Sequence, residues 1–490
     1  MPAESRRAAV PGVVLKVIQM STADTKRPPL AVVILAAGLG TRMKSDVPKV
    51  LHEVCGRPML AYVIDAALSV SPERIVVVTG PDQDAITEIL PVGCERAVQQ
   101  ERRGTGDAVR AGLEPLRGFS GDVMVLYGDV PLVDGDFVAA LHQRHLETGA
   151  AATLTTIELG DPEHYGRIVR DEAGEVARIV EFRDASPEER EIDEINVGLY
   201  VFHADTLGPV LEQLDGDNDQ GELYLTDAVH LLLAAGHAVT SFESDDEEMC
   251  MGVNSRVELA VVNAAMRWRL LERLMLAGVT VEDPDTTFVD YGVEVGRDTL
   301  IRANTHLLGR TTVGAASEVG PGCFLRDAFV GDRARVVSSH LYECVIGSGC
   351  TVGPFAYIRP NTVLAEGAKA GTFVEIKNSR IGERSKVPHL SYVGDAVVGK
   401  ESNIAAGNIT ANYDGYDKHA TTIGDRVRTG SDTTIVAPVT IGDDAFTAAG
   451  SVITRDVPPG SLGVAREQQK NIEGYAERRA ARRLREQQQD

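Results

Sequence analysis

Two stretches of the chain concentrate residues able to do chemistry, and they lie far apart. The first is Leu35-Ala36-Ala37-Gly38-Leu39-Gly40-Thr41-Arg42-Met43, with Lys49 close behind it. It lacks the GK[ST] ending of a P-loop and is not a complete dinucleotide fingerprint, so by shape it is equally a plain tight turn. Its company points further, because glycine N–H groups beside two cations, Arg42 and Lys49, suit a triphosphate. The second stretch runs from Tyr357 to Gly415 and holds Arg359, Lys377, His389, Tyr392, Asp395, Asn403, Asn412 and Tyr413. Arg359, Lys377 and Asp395 follow one another at intervals of 18 residues.

The elements that must position these groups differ between the two halves. Ala31 to Ala37, Arg74 to Gly80 and Asp122 to Asp129 are apolar, β-branched runs, as strands buried on both faces read. Helical stretches such as Leu60 to Ser69 separate them, which predicts a mostly parallel, doubly wound sheet. Ligands of such sheets bind beyond the carboxyl ends of the strands, where the glycine loop falls. Arg167 to Phe182 alternates around Glu172-Ala173-Gly174-Glu175 and reads as an antiparallel hairpin. Asn254 to Leu276 predicts one long amphipathic helix, with Asn254 or Ser255 as cap, Leu270, Leu271 and Leu274 on one face and Gly278 at its end. It would span on the order of 35 Å as a rigid connector.

Beyond that helix, stepping by six from Val289 meets Val295, Ile301, Leu307, Val313, Val319 and Leu325. After an irregular stretch the period returns from Ile346 to Ile376, shifts phase at Ile381 and Val398, and closes with Ile423, Thr429, Ile435 and Ile441. This is the signature of a three-sided β-helix. One aliphatic residue per side points inward, and a glycine or small residue after it allows the corner. A coil of about 18 residues stacks Arg359, Lys377 and Asp395 on one face. The interruptions at 377–380 and 405–422 read as loops thrown from the coil, where function concentrates.

Composition bounds the rest. At 490 residues, two or three domains are expected. An excess of 72 acidic over 49 basic residues, a net charge of −23, excludes bare nucleic acid as a partner. It leaves room for nucleotides held by backbone N–H groups and a few cations. No apolar run reaches the length of a membrane span, so no membrane insertion is expected. Six cysteines without a CxxC pair read as reduced thiols. Half of the 48 glycines fall in the last 200 residues, where the coil lies. Residues 1–29 carry an interrupted apolar stretch that makes a poor signal peptide and read as a disordered extension. The tail from Ala476, with five arginines, reads as a solvated helix or disordered end.

The motifs in both halves resemble one family. AAGLGTRM followed by Pro48-Lys49-Val50 is similar to sugar-phosphate nucleotidylyltransferases. Gln99-Gln100, Gly104-Thr105-Gly106, Tyr127-Gly128-Asp129-Val130-Pro131, Tyr165-Gly166-Arg167, Glu181, Glu194-Ile195-Asn196, Gly221 to Asp227 and Gly252-Val253-Asn254 match its UDP-N-acetylglucosamine branch. With the β-helix, residues 31–466 resemble the bacterial bifunctional N-acetylglucosamine-1-phosphate uridylyltransferase/glucosamine-1-phosphate N-acetyltransferase family. The resemblance implies a Rossmann-like α/β nucleotidyltransferase domain (30–253), a linker helix (254–283), a left-handed parallel β-helix of hexapeptide repeats (284–466) and a tail (467–490).

It also implies roles. Arg42 and Lys49 would hold the UTP phosphates. Leu35, Ala36, Ala37, Gly38, Gln99, Gly104, Thr105 and Tyr127 would line the nucleotide site, and Gly166, Glu181 and Asn196 the acetamido sugar. Asp129 and Asn254 would hold Mg²⁺ through one or two protein oxygens. In the β-helix, His389 would be the general base, a neutral imidazole being a suitable acceptor near pH 7. Arg359 and Lys377 would clamp the sugar phosphate, while Tyr392, Asn403, Asn412 and Tyr413 would orient the sugar and thioester. Ala406, Ser431, Ala449 and Arg466 match acetyl-CoA positions. A cytoplasmic homotrimer using glucosamine 1-phosphate, acetyl-CoA and UTP is implied. Two departures stand out: Asp107 where the family often has His, and Ala405 and Asn408 in the motif after Asn403. The competing readings are a monofunctional nucleotidylyltransferase with a structural or regulatory β-helix and a non-enzymatic sugar-nucleotide binder.

Overall fold

The computed structural model describes residues 28–162, 165–218 and 220–488. The expected extension up to residue 27 lies outside them. Pro29 already belongs to the folded body, its carbonyl accepting from Asp122 N at 2.9 Å.

The β-branched runs form β1 (Leu30–Leu35), β2 (Arg74–Thr79), β3 (Cys94–Val98), β4 (Asp122–Tyr127), β5 (Ala152–Glu158), β6 (Glu194–His203) and β7 (Val239–Glu243). They lie in the order β7-β5-β6-β4-β1-β2-β3. β4, β1, β2 and β3 are parallel, and β6 runs antiparallel to both its neighbours. Alternate residues point to opposite faces, so each strand serves two cores. Val32, Ile34 and Leu126 pack with helices α1 (Met59–Ser69) and α3 (Gly135–Thr148), while Val33, Val76 and Val125 pack with α2 (Thr105–Leu113) and Leu207 to Leu232. The hairpin forms as expected, Arg167–Arg170 against Val176–Val180.

Helix α4 (Arg256–Leu276) begins with a capping box, Ser255 and Glu258 each accepting the other's backbone N–H. It is more than a strut between separate bodies. Val262, Met266, Leu270, Leu271 and Leu274 sit in one continuous core that joins Val54, Met59 and Tyr62 to Val289 and Ile301 of the coil. The bodies also touch directly. Tyr291 N donates to Cys55 O at 2.9 Å, the Tyr291 ring meets Tyr62 edge-on at 5.2 Å, and Arg57 stacks over Tyr291 at 4.5 Å.

The coil consists of three parallel sheets of 7, 10 and 9 short strands. Val289 pairs with Leu307, Val295 with Val313 and Ile301 with Val319, the 18-residue coil that the spacing predicts. Its first strand, Thr280–Val281, already pairs with Leu300–Ile301 ahead of residue 284, and its last is Leu462–Gly463. The helix Tyr475–Glu486 beyond is fully exposed, as a solvated end should be.

Three expectations about the coil are corrected. The irregular stretch after Leu325 is regular coil: Val330, Val336 and Leu341 face inward and pair with Val313, Val319 and Leu325. Its sides are shorter. On six-residue sides the left-handed corner residue comes three after the inward one, as Asn304 follows Ile301. On five-residue sides it comes two after, as Ser338 follows Val336 and Asn378 follows Ile376. By the same token 377–380 is a tight corner and not a loop, with strands Glu375–Lys377 and Arg380–Ile381 on either side. Of the second interruption, Ile409–Ala411 is a ladder strand beside Tyr392 and Thr434–Val436, so the extruded part begins only at residue 412. Finally, the glycine after the inward residue does not make the corner. A Cβ on Gly314 would lie 2.5 Å from Asp332 N, and one on Gly347 2.8 Å from Glu366 N. Those glycines permit the coils to stack, while Asp, Asn, Ser and Arg fill many of the corners.

Candidate active sites

The carboxyl ends of β1 and β4 open into a cavity of about 430 Å³. Leu35, Ala36, Ala37, Gly38, Lys49, Gln99, Gly104, Thr105, Tyr127, Asp129 and Asn254 line it, so eleven residues assigned from the sequence converge on one space. The carbonyls of Ala37 and Gly38 accept from Arg102 Nε at 2.7 Å and Gln83 Nε2 at 3.2 Å. The loop therefore offers its N–H edge to a ligand. Arg42 is exposed and lines instead a neighbouring cavity of about 660 Å³, which shares Asn254. It does not line the cavity that Lys49 lines.

Lys49 Nζ makes an ion pair with Asp129 Oδ2 and donates to Asn254 Oδ1 at 3.1 Å. Two hard oxygens from separate segments thus converge on one positive charge, the donor set that an oxygen-seeking divalent cation requires. Asp129 and Asn254 therefore fit the expected cation.

Gly166, Glu181 and Asn196 gather beside Tyr127. Asn196 N donates to Gly166 O at 2.8 Å, Asn196 Nδ2 to Tyr200 Oη at 2.7 Å, and Thr226 Oγ1 to Glu181 Oε1 at 3.1 Å. Burial pushes the Glu181 carboxyl above its ordinary range, and burial with the nearby Glu181 and Asp129 charges does the same to the Tyr127 phenol. Asp107 accepts from Gln99 Nε2 at 3.0 Å and from Arg103 and Arg110 at 2.9 and 2.5 Å. Burial opposes its ionisation, but those donors hold its carboxyl below the usual range. With the amide nitrogen of Gln99 so engaged, its carbonyl oxygen is left as the acceptor for a base edge.

On the β-helix, Arg359 and Lys377 occupy matching places on adjacent coils, since Ile358 N-terminal to one pairs with Ile376 N-terminal to the other. Arg359 Nη1 bonds Glu375 Oε1 at 2.8 Å, and Lys377 Nζ reaches Asp395 Oδ2 at 3.4 Å. The coil between Lys377 and Asp395 contains the five-residue side from Ile376 to Ile381, so Lys377 pairs with Gly394 and Asp395 stacks one place off, yet keeps contact. Asn412 donates to Asp395 and approaches Tyr392 Oη at 3.5 Å. Burial opposes ionisation of Asp395, but bonds from Asn378 and Asn412 and the Lys377 charge hold its carboxyl below the ordinary range. Lys418, on the extruded loop, meets Lys377, and the like charge lowers its affinity for a proton.

His389 lies at the other corner of this face and is exposed. The strand between the corners puts it roughly 13 Å from the Lys377 corner. His389 heads a column of small residues one coil apart. Gly407 N, next to Ala406, bonds His389 O; Asp432 N, next to Ser431, bonds Ala406 O; and Gly450 N, next to Ala449, bonds Ser431 O. Ala406, Ser431 and Ala449 thus line one open edge, with Arg466 beyond its end. Asn403 lies on the preceding face, paired with Lys386 and Arg428, and Tyr413 is exposed, its hydroxyl donating to Gly415 O at 2.6 Å. Asn408 is a packing residue: its buried amide donates to Ala405 O and Gly430 O, both at 2.9 Å.

Three further residues emerge only here. Arg102 and Glu222 line the nucleotide cavity, and Lys418 joins the cations at the coil. The two cations of Glu101-Arg102-Arg103 directly after the glutamines were the available signal for Arg102.

Comparison with known proteins places these sites in context. Residues 32–228 match the MobA-like NTP transferase domain and residues 420–455 the bacterial transferase hexapeptide. The chain is 50% identical over 457 residues to the bifunctional protein GlmU of Streptomyces avermitilis, an alignment covering 92% of this chain and 95% of that protein. It is 47% identical to the bifunctional protein GlmU of Corynebacterium glutamicum, over 92% and 94% of the two chains. Against that of Mycolicibacterium gilvum the identity is 49%, over 92% of each.

Proposed function

The chain belongs to the family of bifunctional GlmU proteins, and from that premise we propose how its two sites divide the work. It is a bifunctional enzyme of UDP-N-acetylglucosamine synthesis. On the β-helix, acetyl passes from acetyl-CoA to the amine of glucosamine 1-phosphate. In the α/β body, uridylyl passes from UTP to N-acetylglucosamine 1-phosphate, and pyrophosphate leaves. The observation that carries the reading is the coexistence in one chain of a lined nucleotide cavity and a cationic cluster on the coil, for which a scaffold has no need.

In the acetyl step the amine attacks the thioester carbonyl, CoA departs as thiolate, and His389 takes the ammonium proton. General-base help of this kind contributes about 10²–10⁴-fold. Arg359, Lys377 and Lys418 fix the sugar phosphate, Tyr392, Asn412 and Tyr413 face the sugar, and the column Ala406, Ser431, Ala449 leaves room for an extended pantetheine ending near Arg466. Asn403 borders the base from the preceding face.

In the uridylyl step a phosphate oxygen of the sugar attacks the α-phosphorus in line with the departing pyrophosphate, so positioning and charge neutralisation suffice. Leu35 to Gly38 and Lys49 cradle the phosphates, Arg42 approaches from the adjoining cavity, and Gln99, Gly104 and Thr105 frame the uracil. Gly166, Glu181 and Asn196 frame the acetamido sugar. Asp129 and Asn254 would hold Mg²⁺, which supplies charge neutralisation on the phosphates.

A homotrimer with acyl sites between subunits is supported by the openness of the coil site, where base and phosphate clamp sit at two corners of a bare face. Light scattering that shows a fully acetylating monomer would remove this part. Among the described residues no helix is long and apolar enough to cross a membrane, and a cytoplasmic location is proposed from the substrates, UTP and acetyl-CoA. Supplying glucosamine 1-phosphate, acetyl-CoA, UTP and Mg²⁺ together should yield both CoA and pyrophosphate. Pyrophosphate that appears only with pre-acetylated sugar would leave the monofunctional reading standing.

A further inference from the structure

At the end of the sheet opposite the nucleotide cavity, Asp122 opens β4 with its side chain fully buried. An isolated carboxylate there is costly unless neutralised. Three histidines surround it. His142 and His145 lie one turn apart on α3, and His203 ends β6. His203 Nδ1 stands 2.9 Å from Asp122 Oδ1, His142 Nε2 3.0 Å from Oδ2, and His145 Nε2 3.5 Å from Oδ1. The ligand atoms of Asp122, His145 and His203 all lie within 4.8 Å of one another.

His145 supplies the second observation. It is fully buried, its Nδ1 is bonded to Thr153 Oγ1 at 2.8 Å, and its Nε2 is left without a hydrogen bond, aimed at the carboxylate. A metal-ligating imidazole shows this arrangement, with one nitrogen fixed by an outer partner and the other free toward the ion. At bonds of about 2.0–2.2 Å the donor atoms of a tetrahedral zinc site stand roughly 3.3 Å apart, near the 2.9 and 3.5 Å from Asp122 Oδ1 to His203 and His145 and inside the 4.8 Å that bounds the whole set.

We propose that Asp122, His145 and His203 form a structural site for a zinc-like dication, with His142 orienting the carboxylate through its other oxygen and water from the His203 rim completing four ligands. Two imidazoles and one carboxylate favour a borderline transition metal over Mg²⁺ or Ca²⁺, which prefer all-oxygen sets. The site joins α3, β4 and the end of β6, about 17 Å along β4 from Tyr127. Its role is to hold the sheet together and not to take part in either transfer.

The full chain, stripped with a chelator and returned to excess Mg²⁺, is titrated with Zn²⁺ against a chromogenic competitor, and Co²⁺ is used as a spectroscopic probe. The expected result is one tightly held zinc per chain, a tetrahedral Co²⁺ spectrum and a raised unfolding midpoint. His203→Gln, on the partly exposed rim, should weaken binding at least ~100-fold and abolish that spectrum while uridylyl transfer continues. His145→Gln should do the same if it folds. Failure of the wild-type chain to retain zinc, or retention by His203→Gln at the wild-type level, overturns the site.

Discussion

The two candidate sites are built by opposite means. In the α/β body, side chains from loops far apart in sequence turn inward around one cavity, and Asp129, Asn254 and Lys49 already satisfy one another there. On the coil, a repeat places groups at matching positions of successive turns, and the result is a face open to water, with His389 exposed. The first site is a cavity lined by its own chain. The second is a ladder of contacts on an open face.

The comparison breaks most clearly if the sites are not independent. His389→Ala should lower CoA release by about 10²–10⁴-fold while pyrophosphate release from pre-acetylated sugar stays within twofold, measured in parallel coupled assays. Asp129→Ala should do the reverse, with uridylyl transfer falling by about 10²–10³-fold, the scale of losing a preorganised electrostatic group. Loss of both activities in either variant would mean that one site supports the other.

The next effect sharpens the contrast in construction. Gly347→Ala places a Cβ 2.8 Å from Glu366 N and should cost about 1–3 kcal/mol by overpacking, read in denaturant titration. Smaller still, Lys418→Ala should raise the KM for glucosamine 1-phosphate about tenfold with kcat nearly unchanged, as loss of one charge-assisted phosphate contact predicts. Smallest, Asp107→Ala releases Gln99 and should raise the KM for UTP a few-fold, the scale of one lost hydrogen bond. An unchanged KM would assign Asp107 to helix packing alone.

What could be read in the sequence follows from the same contrast. Buried strands announce themselves as β-branched runs, and polar residues just past them are the first candidates, so Gly38 and Asp129 were legible from position, while Thr105 and Tyr127 were named only through the family motif. The placement of Arg42 was not legible, because a loop's direction depends on what it packs against. The six-residue period exposed the coil, but counting by six cannot register sides of five, and Val330, Val336 and Leu341 escaped although their burial is complete or nearly so. Lys418 escaped for another reason: only folding of the extruded loop returns it to Lys377. The Asp122 cluster had no linear signature, since strand order alone brings His203 beside residues more than 50 positions earlier.

The shared core between the two bodies sets the traffic of the reaction. Tyr291 against Cys55 and Tyr62, and α4 buried along one side, leave no hinge by which one site could swing toward the other. Five coils separate the Phe288 strand from the Glu375 strand, roughly 24 Å at the spacing of paired strands. Acetylated sugar made at the coil should therefore leave into bulk water and be recaptured. Added N-acetylglucosamine 1-phosphate should mix freely with it, and flux through the pair is governed by the steady concentration of a diffusing intermediate.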